Sequence, residues 1–196
     1  MSSNLDDKLN KVLETVALNG LVSGYQLKNL LEVPLSTAQR WLSMLANSGE
    51  LMLFETQTRP IKKKLYGLTF IGFLHALSQP KVKNNFSRVF EKVMVYSKDD
   101  ELTRKDFQNA VKDPEVLEKI KELFLSLSDA LNELYDIESL EDQKLILLAR
   151  ELAVINNPEK MFSILKHLTP RISSVSTYVE NYCRNAAILC RHLELK

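Results

Sequence analysis

Cysteine is nearly absent from this chain. Cys183 and Cys190 are the only two, too few for a disulfide framework and without the CxxC or histidine partners of a zinc site. They suit a reducing compartment. They share a helix face flanked by Arg184 and Arg191, an arrangement that can lower a thiol pKa, but buried small apolar cysteines are the plainer reading. Nowhere do apolar residues run for the 18 or more positions of a membrane span, and no N-terminal segment joins positive charge to a long apolar run. The reading is a cytoplasmic chain with no membrane partner. Glycine and proline, at five and six residues, act as punctuation, and there is no internal repeat or low-complexity tract. Also missing are a phosphate-binding loop, a nucleophile elbow and metal-ligand spacing, and the three histidines, His75, His167 and His192, are scattered. The sequence therefore predicts no enzyme, no metal and no cofactor.

What is present is ordinary globular material: 196 residues, 45% hydrophobic and 26% charged, enough for one large or two small domains. The overall charge of +1 hides an asymmetry. Residues 23–92 hold ten Lys/Arg against four Asp/Glu, whereas residues 93–196 hold fourteen against eighteen. Only the first half is suited to approach a polyanion.

Polar residues before prolines mark helix starts at Asp113-Pro114, Asn157-Pro158 and Thr169-Pro170, since an N-cap side chain accepts an orphan N–H and proline at N1 forgoes none. A capping-box-like Ser139-Leu-Glu-Asp142 starts another. Helices are expected near 84–97, 103–112, 114–135, 140–155, 158–168 and 170–195. The first 80 residues read differently. Leu5, Leu9, Val12, Leu13 and Val16 recur at helical spacing, a second short helix starts at Ser23, and a third follows Pro34. Gly49 ends that helix, and short strands at Leu51–Phe54 and Lys64–Leu68 flank a polar tip. The fold class is mostly α: an N-terminal winged helix-turn-helix of three helices and a β-ribbon over 1–80, then an all-helical region over 81–196 for dimerisation or effector binding.

The third helix carries the chemistry. In "STAQRWLSMLANSGE", residues 36–50, Ala38, Trp41, Leu42 and Leu45 form one stripe, while Ser36, Arg40, Ser43 and Asn47 project away from it with Gln39 to one side. That polar face has donors and acceptors and no carboxylate, the chemistry of a helix in the major groove. Arginine can grip guanine and glutamine adenine, and the serines can meet bases or phosphates. Arg59, Lys62, Lys63 and Lys64 surround the wing tip, where long cations reach phosphates or the minor groove. The plain alternatives are a solvated helix face and an edge strand guarded by lysines. Trp41 reads as core or domain junction rather than a stacking platform, and Tyr66 is ambiguous in the same way. "FIGFLHAL", 70–77, is apolar on nearly all sides and must be buried against the C-terminal half or a second subunit.

Three stretches together, "LVSGYQLKNLL", "LANSGEL" and "TRPIKKKLYGLTFIG", resemble the winged-helix transcription regulators, and most the PadR-like branch. Gly24, Tyr25, Leu42, Leu45, Gly49, Arg59, Pro60, Tyr66, Leu68, Thr69 and Gly72 carry the resemblance, which spans roughly residues 8–75. The chain departs from that branch at Gln39-Arg40, where the branch has Tyr-Pro. The resemblance implies a homodimeric, sequence-specific DNA-binding transcription regulator with double-stranded DNA as its partner. The alternative is a winged helix used as a protein–protein interaction module without DNA binding. No small-molecule effector is named by the residues.

Two apolar seams bear on assembly. Ile172, Val175, Val179, Tyr182, Ala186, Leu189 and Leu193 follow alternating three- and four-residue spacing, a heptad seam. Val116, Ile120, Leu123, Leu127, Ala130 and Leu134 do the same, widened by Leu117, Phe124 and Leu131. The widened seam suits intrachain core. The 172–193 seam suits either a contact between subunits or more core.

Overall fold

Chain breakers set the pace of the first half. In the computed structural model, which describes residues 3–56, 63–96, 108–109, 111–134 and 142–172, three helices come first: α1 (Ser3–Asn19), α2 (Gly24–Leu31) and α3 (Leu35–Asn47). A two-stranded antiparallel sheet follows, β1 (Leu51–Thr56) with β2 (Lys63–Leu68). Then come helices α4 (Phe70–Ala76), α5 (Pro80–Asn84), α6 (Phe86–Tyr96), α7 (Pro114–Glu133), α8 (Asp142–Asn156) and α9 (Pro158–Leu168). The chain is mostly helical, with its small sheet placed after three N-terminal helices. Most of the helix expected over 103–112, all but the start of the one over 170–195, and both cysteines lie outside the described residues.

The chain divides into two compact units, Met1–Ser97 with Phe124–Ala153, and Lys98–Leu123 with Val154–Lys196. The boundary drawn at residue 80 falls inside the first unit, and ring packing gives the reason. Phe73 of α4 lies 6.1 Å from Phe86, 6.2 Å from Phe90 and 5.5 Å from Phe124, measured between ring centroids. Phe86 and Phe90 stack at 5.3 Å, and Phe124 meets Phe90 and Phe70 edge-on. These rings tie α6 and the second half of α7 to α4. Aromatic pairs of this kind add about 0.5–1.5 kcal/mol each beyond the area they bury. The apolar stretch 70–77 is thus covered within one chain, and the buried Ser128 hydroxyl donates to the Leu74 carbonyl at 2.6 Å.

Around this cluster the rest of the first unit follows from helical phase. Val12, Leu13, Val16 and Ala17 of α1 are buried, but Leu5, from the same sequence stripe, is exposed near the helix start. Leu27 of α2 and Ala38, Trp41, Leu42 and Leu45 of α3 complete the three-helix core, so Trp41 is a core residue. Its indole N–H meets no acceptor among the described residues. Lys92 of α6 donates to the Leu18 carbonyl in the last turn of α1. Burial, and then the like charge of Arg88, holds that ammonium below the usual lysine range.

In the second unit, Asp113 caps α7 by accepting from the Glu115 N–H at 3.0 Å, and Asn157 caps α9 by accepting from the Lys160 N–H at 3.1 Å. Both stand in the Asp-Pro and Asn-Pro pairs that mark helix starts in the sequence. Thr169 differs. Its backbone is helical and its hydroxyl donates to the Leu165 carbonyl at 2.6 Å, so it closes α9 instead of opening another helix. Met161, Ile164, Leu165 and Leu168 form the buried stripe of α9, and Val116, Ile120 and Leu123 that of α7 in this unit. Ile172, the first residue of the 172–193 seam, is buried; the remaining seam residues lie outside the described part.

Candidate functional site

The start of α2 and the end of α3 are held by different devices, and together they fix the exposed face of α3. At α2, Ser23 and Gln26 form a capping box: the Gln26 N–H donates to the Ser23 hydroxyl at 3.3 Å, and the Ser23 N–H donates to Gln26 Oε1 at 2.9 Å. Glu32, with φ of 53°, then takes the left-handed conformation that ends α2, and its turn runs into Pro34, which precedes α3 without any side-chain cap. At the far end, the Glu50 N–H reaches the Leu45 carbonyl at 2.9 Å and the Gly49 N–H the Ala46 carbonyl at 3.3 Å. This is a Schellman closure, and it requires Gly49 at φ 80°.

With Ala38, Trp41, Leu42 and Leu45 turned inward, Ser36, Gln39, Arg40 and Ser43 are all exposed, on one helix and with no acidic neighbour within it. Gln39 is more constrained than the sequence suggests. A Cβ placed on Gly24 would lie 3.0 Å from Gln39 Cγ, so the stem of Gln39 rests over the first turn of α2. Glycine at 24 leaves room for it.

The ribbon divides its lysines. Register pairs Leu51 with Leu68, Leu53 with Tyr66, Glu55 with Lys64, and Thr56 with Lys63. Successive residues alternate faces, so Lys63 and Lys64, both exposed, point opposite ways. Lys64 is the cross-strand register partner of Glu55, a pairing of opposite charges on neighbouring strands. Arg59 and Lys62 lie outside the described residues. The structure therefore gathers the four α3 residues onto one surface and leaves the two described lysines on separate sides of a ribbon. Tyr66 does a different job: its N–H and carbonyl exchange hydrogen bonds with Val22 at 2.8 and 2.9 Å, tying the α1–α2 turn to β2.

No family model matches this chain, and no curated protein matches it. Among the described residues no group of three or more His, Cys, Asp or Glu side chains is placed to hold a metal ion, and no helix is long and apolar enough to cross a membrane.

Two further features carry little or no signal in the sequence. Tyr25 on α2 is well exposed, with Lys28 Nζ 5.2 Å from its ring centroid, an aromatic–cation pair on the helix packed against α3. Its sequence signal is slight: an aromatic two positions after the N-cap and a lysine one turn later. The second feature is the buried contact of Glu50 Oε1 with His75 Nδ1 at 2.7 Å, with the Ser48 hydroxyl 2.9 Å from Glu50 Oε2. Twenty-five positions separate the two partners, so no local pattern announces them. They line a cleft of about 250 Å³ with Asp6, Asn10 and Ser78, below the size typical of drug-sized ligand sites. The pair joins the end of α3 to α4.

Proposed function

We propose that this chain is a winged-helix, sequence-specific DNA-binding transcription regulator that acts as a homodimer, as the PadR-like proteins it resembles do. The observation that carries the reading is the exposed, carboxylate-free face of α3, where Ser36, Gln39, Arg40 and Ser43 stand together. A helix of that kind enters the major groove, where the Arg40 guanidinium can take guanine O6 and N7 together and Gln39 the adenine edge. The uncapped first turn of α3 offers backbone N–H groups toward a phosphate. Lys63 and Lys64, with Arg59 and Lys62 of the same basic run, supply charge for the adjoining backbone. Pairing two such modules on two half-sites raises affinity through effective concentration.

A second reading has its own observation. Tyr25 and Leu30 on α2 and Leu53 on the ribbon are exposed large hydrophobic residues, and such surface suits a protein partner better than a polyanion. On that reading the winged helix is an interaction module in a larger assembly.

One titration separates the two. Fluorescence anisotropy of a labelled random-sequence duplex, measured at two salt concentrations, should show binding whose log K falls by about 0.9 per unit of log salt for each phosphate neutralised. Absence of binding at low salt would overturn the DNA reading and leave the interaction module.

A further inference from the structure

Segments far apart in the chain bring polar side chains to the cleft of about 250 Å³ in the first unit. Asp6 and Asn10 stand one turn apart on α1, Glu50 follows α3, His75 lies on α4, and Asn132 comes from the second half of α7. Between them Leu9, Leu13 and Leu45 supply apolar wall. Glu50 is the unusual member. Its side chain is only 9% exposed, and its carboxylate is held on both oxygens, by His75 Nδ1 on Oε1 and by the Ser48 hydroxyl on Oε2. A carboxylate so placed is a fixed charge that solvent screens weakly. No lysine or arginine is among the described residues lining the cleft. Asp6 and Glu50 therefore set its charge, and even a protonated His75 balances only one of the two.

We propose that this cleft binds a small organic cation, an ammonium or guanidinium head on a short aliphatic stem. The Asp6 carboxylate and the amide oxygens of Asn10 and Asn132 receive the head, with Glu50 as fixed charge beside them, and the stem lies on the three leucines. At about 30 Å³ for each water-sized group the volume holds roughly eight such groups, which excludes a nucleotide or a peptide. The cleft also touches α3. Leu45 belongs to the last turn of that helix, and the Glu50 N–H closes it on the Leu45 carbonyl at 2.9 Å. An occupant therefore meets the end of the helix whose exposed face carries Gln39 and Arg40. Resting on the DNA reading above, the cation is an effector that alters DNA affinity through α3.

The test is a titration of the isotope-labelled full chain with n-butylguanidinium and n-butylammonium, followed by amide chemical shifts at constant ionic strength. Butyramide and butyrate, of similar size, are the neutral and anionic controls. The cations should move the signals of Asn10, Glu50 and His75 to saturation, with Kd on the order of 1 mM for so few atoms, and the controls should not. Asp6 is exposed in the first turn of α1, so its variants keep the fold, which circular dichroism verifies. Asp6→Asn should raise Kd roughly threefold or more, and Asp6→Lys should abolish saturation. If all four compounds act alike, or none acts, the cleft holds water only and the proposal falls. A cation response that survives Asp6→Lys is seated elsewhere and overturns it too. Duplex anisotropy with and without n-butylguanidinium tests the consequence, with DNA affinity expected to change about fivefold or more. Unchanged DNA affinity with the cation bound refutes the effector role. A chain that binds the cation but no DNA at low salt overturns the DNA reading and leaves the site standing.

Discussion

Replacing Gly72 by alanine adds one methyl group where the start of α4 rests on the turn after α3. A Cβ there would lie 1.9 Å from the Glu50 carbonyl oxygen and 2.8 Å from its carbon. Such approaches do not fall below 3.0 Å in practice, so α4 has to retreat by more than 1 Å from a partner that is backbone and cannot swing aside. The retreat acts on everything fixed at this junction. The Thr69 N–H donates to the Glu50 carbonyl at 3.0 Å, the Thr69 hydroxyl to the Gly49 carbonyl at 2.6 Å, and the His75–Glu50 contact is 2.7 Å long. Alanine is favoured over glycine within a helix by about 1 kcal/mol. Against that stand about 1–3 kcal/mol for overpacking and about 1 kcal/mol for each hydrogen bond broken. The unfavourable side wins, by roughly 2–4 kcal/mol. Thermal unfolding followed at 222 nm should show Tm lowered by roughly 5–15 °C, with helical signal retained below the transition. A Gly72→Ala protein as stable as the wild type would refute the close approach on which the reasoning depends.

Three further outcomes are expected. Arg40→Ala should lose about 1–3 kcal/mol on a selected duplex and much less on random DNA, whereas Lys63→Ala/Lys64→Ala should weaken both alike and flatten the salt dependence by roughly one unit for each phosphate no longer neutralised; anisotropy on the two duplexes compares them, and an unchanged Arg40→Ala would show that α3 is not the reader. Trp41→Phe, which removes a buried N–H lacking an acceptor among the described residues, should change unfolding free energy by under about 1.5 kcal/mol, while Trp41→Ala should lose about 3–5 kcal/mol in urea titrations; equal losses would assign the N–H a partner. Ser23→Ala removes one half of the capping box and should lower stability by about 1 kcal/mol, read from the urea midpoint, and no change would mean that Gln26 alone holds the turn.

Local chemistry is sufficient for the helix boundaries and for the inward stripe of α3. Capping side chains act within three or four residues, so Ser23, Asp113 and Asn157 announce their helices, and Gly49 announces the end of α3 through the positive φ that a Schellman closure needs. Helical phase likewise separates Ala38, Trp41, Leu42 and Leu45 from Ser36, Gln39, Arg40 and Ser43. Strand alternation implies that adjacent lysines of the ribbon diverge. Other features depend on distant partners, and there the sequence is silent or misleading. Thr169 has an N-cap's residue type before a proline, yet its hydroxyl is claimed by the preceding helix at Leu165. Five phenylalanines spread from Phe70 to Phe124 carry the first unit well past residue 80. Gly72 reads as a motif residue in the chain, and only the fold sets the Glu50 carbonyl against it. The Glu50–His75 contact likewise emerges only once the chain has folded. Caps and helical phase are properties of neighbours along the chain, whereas coverage of a surface depends on which remote segments reach it, and that is decided by tertiary packing alone.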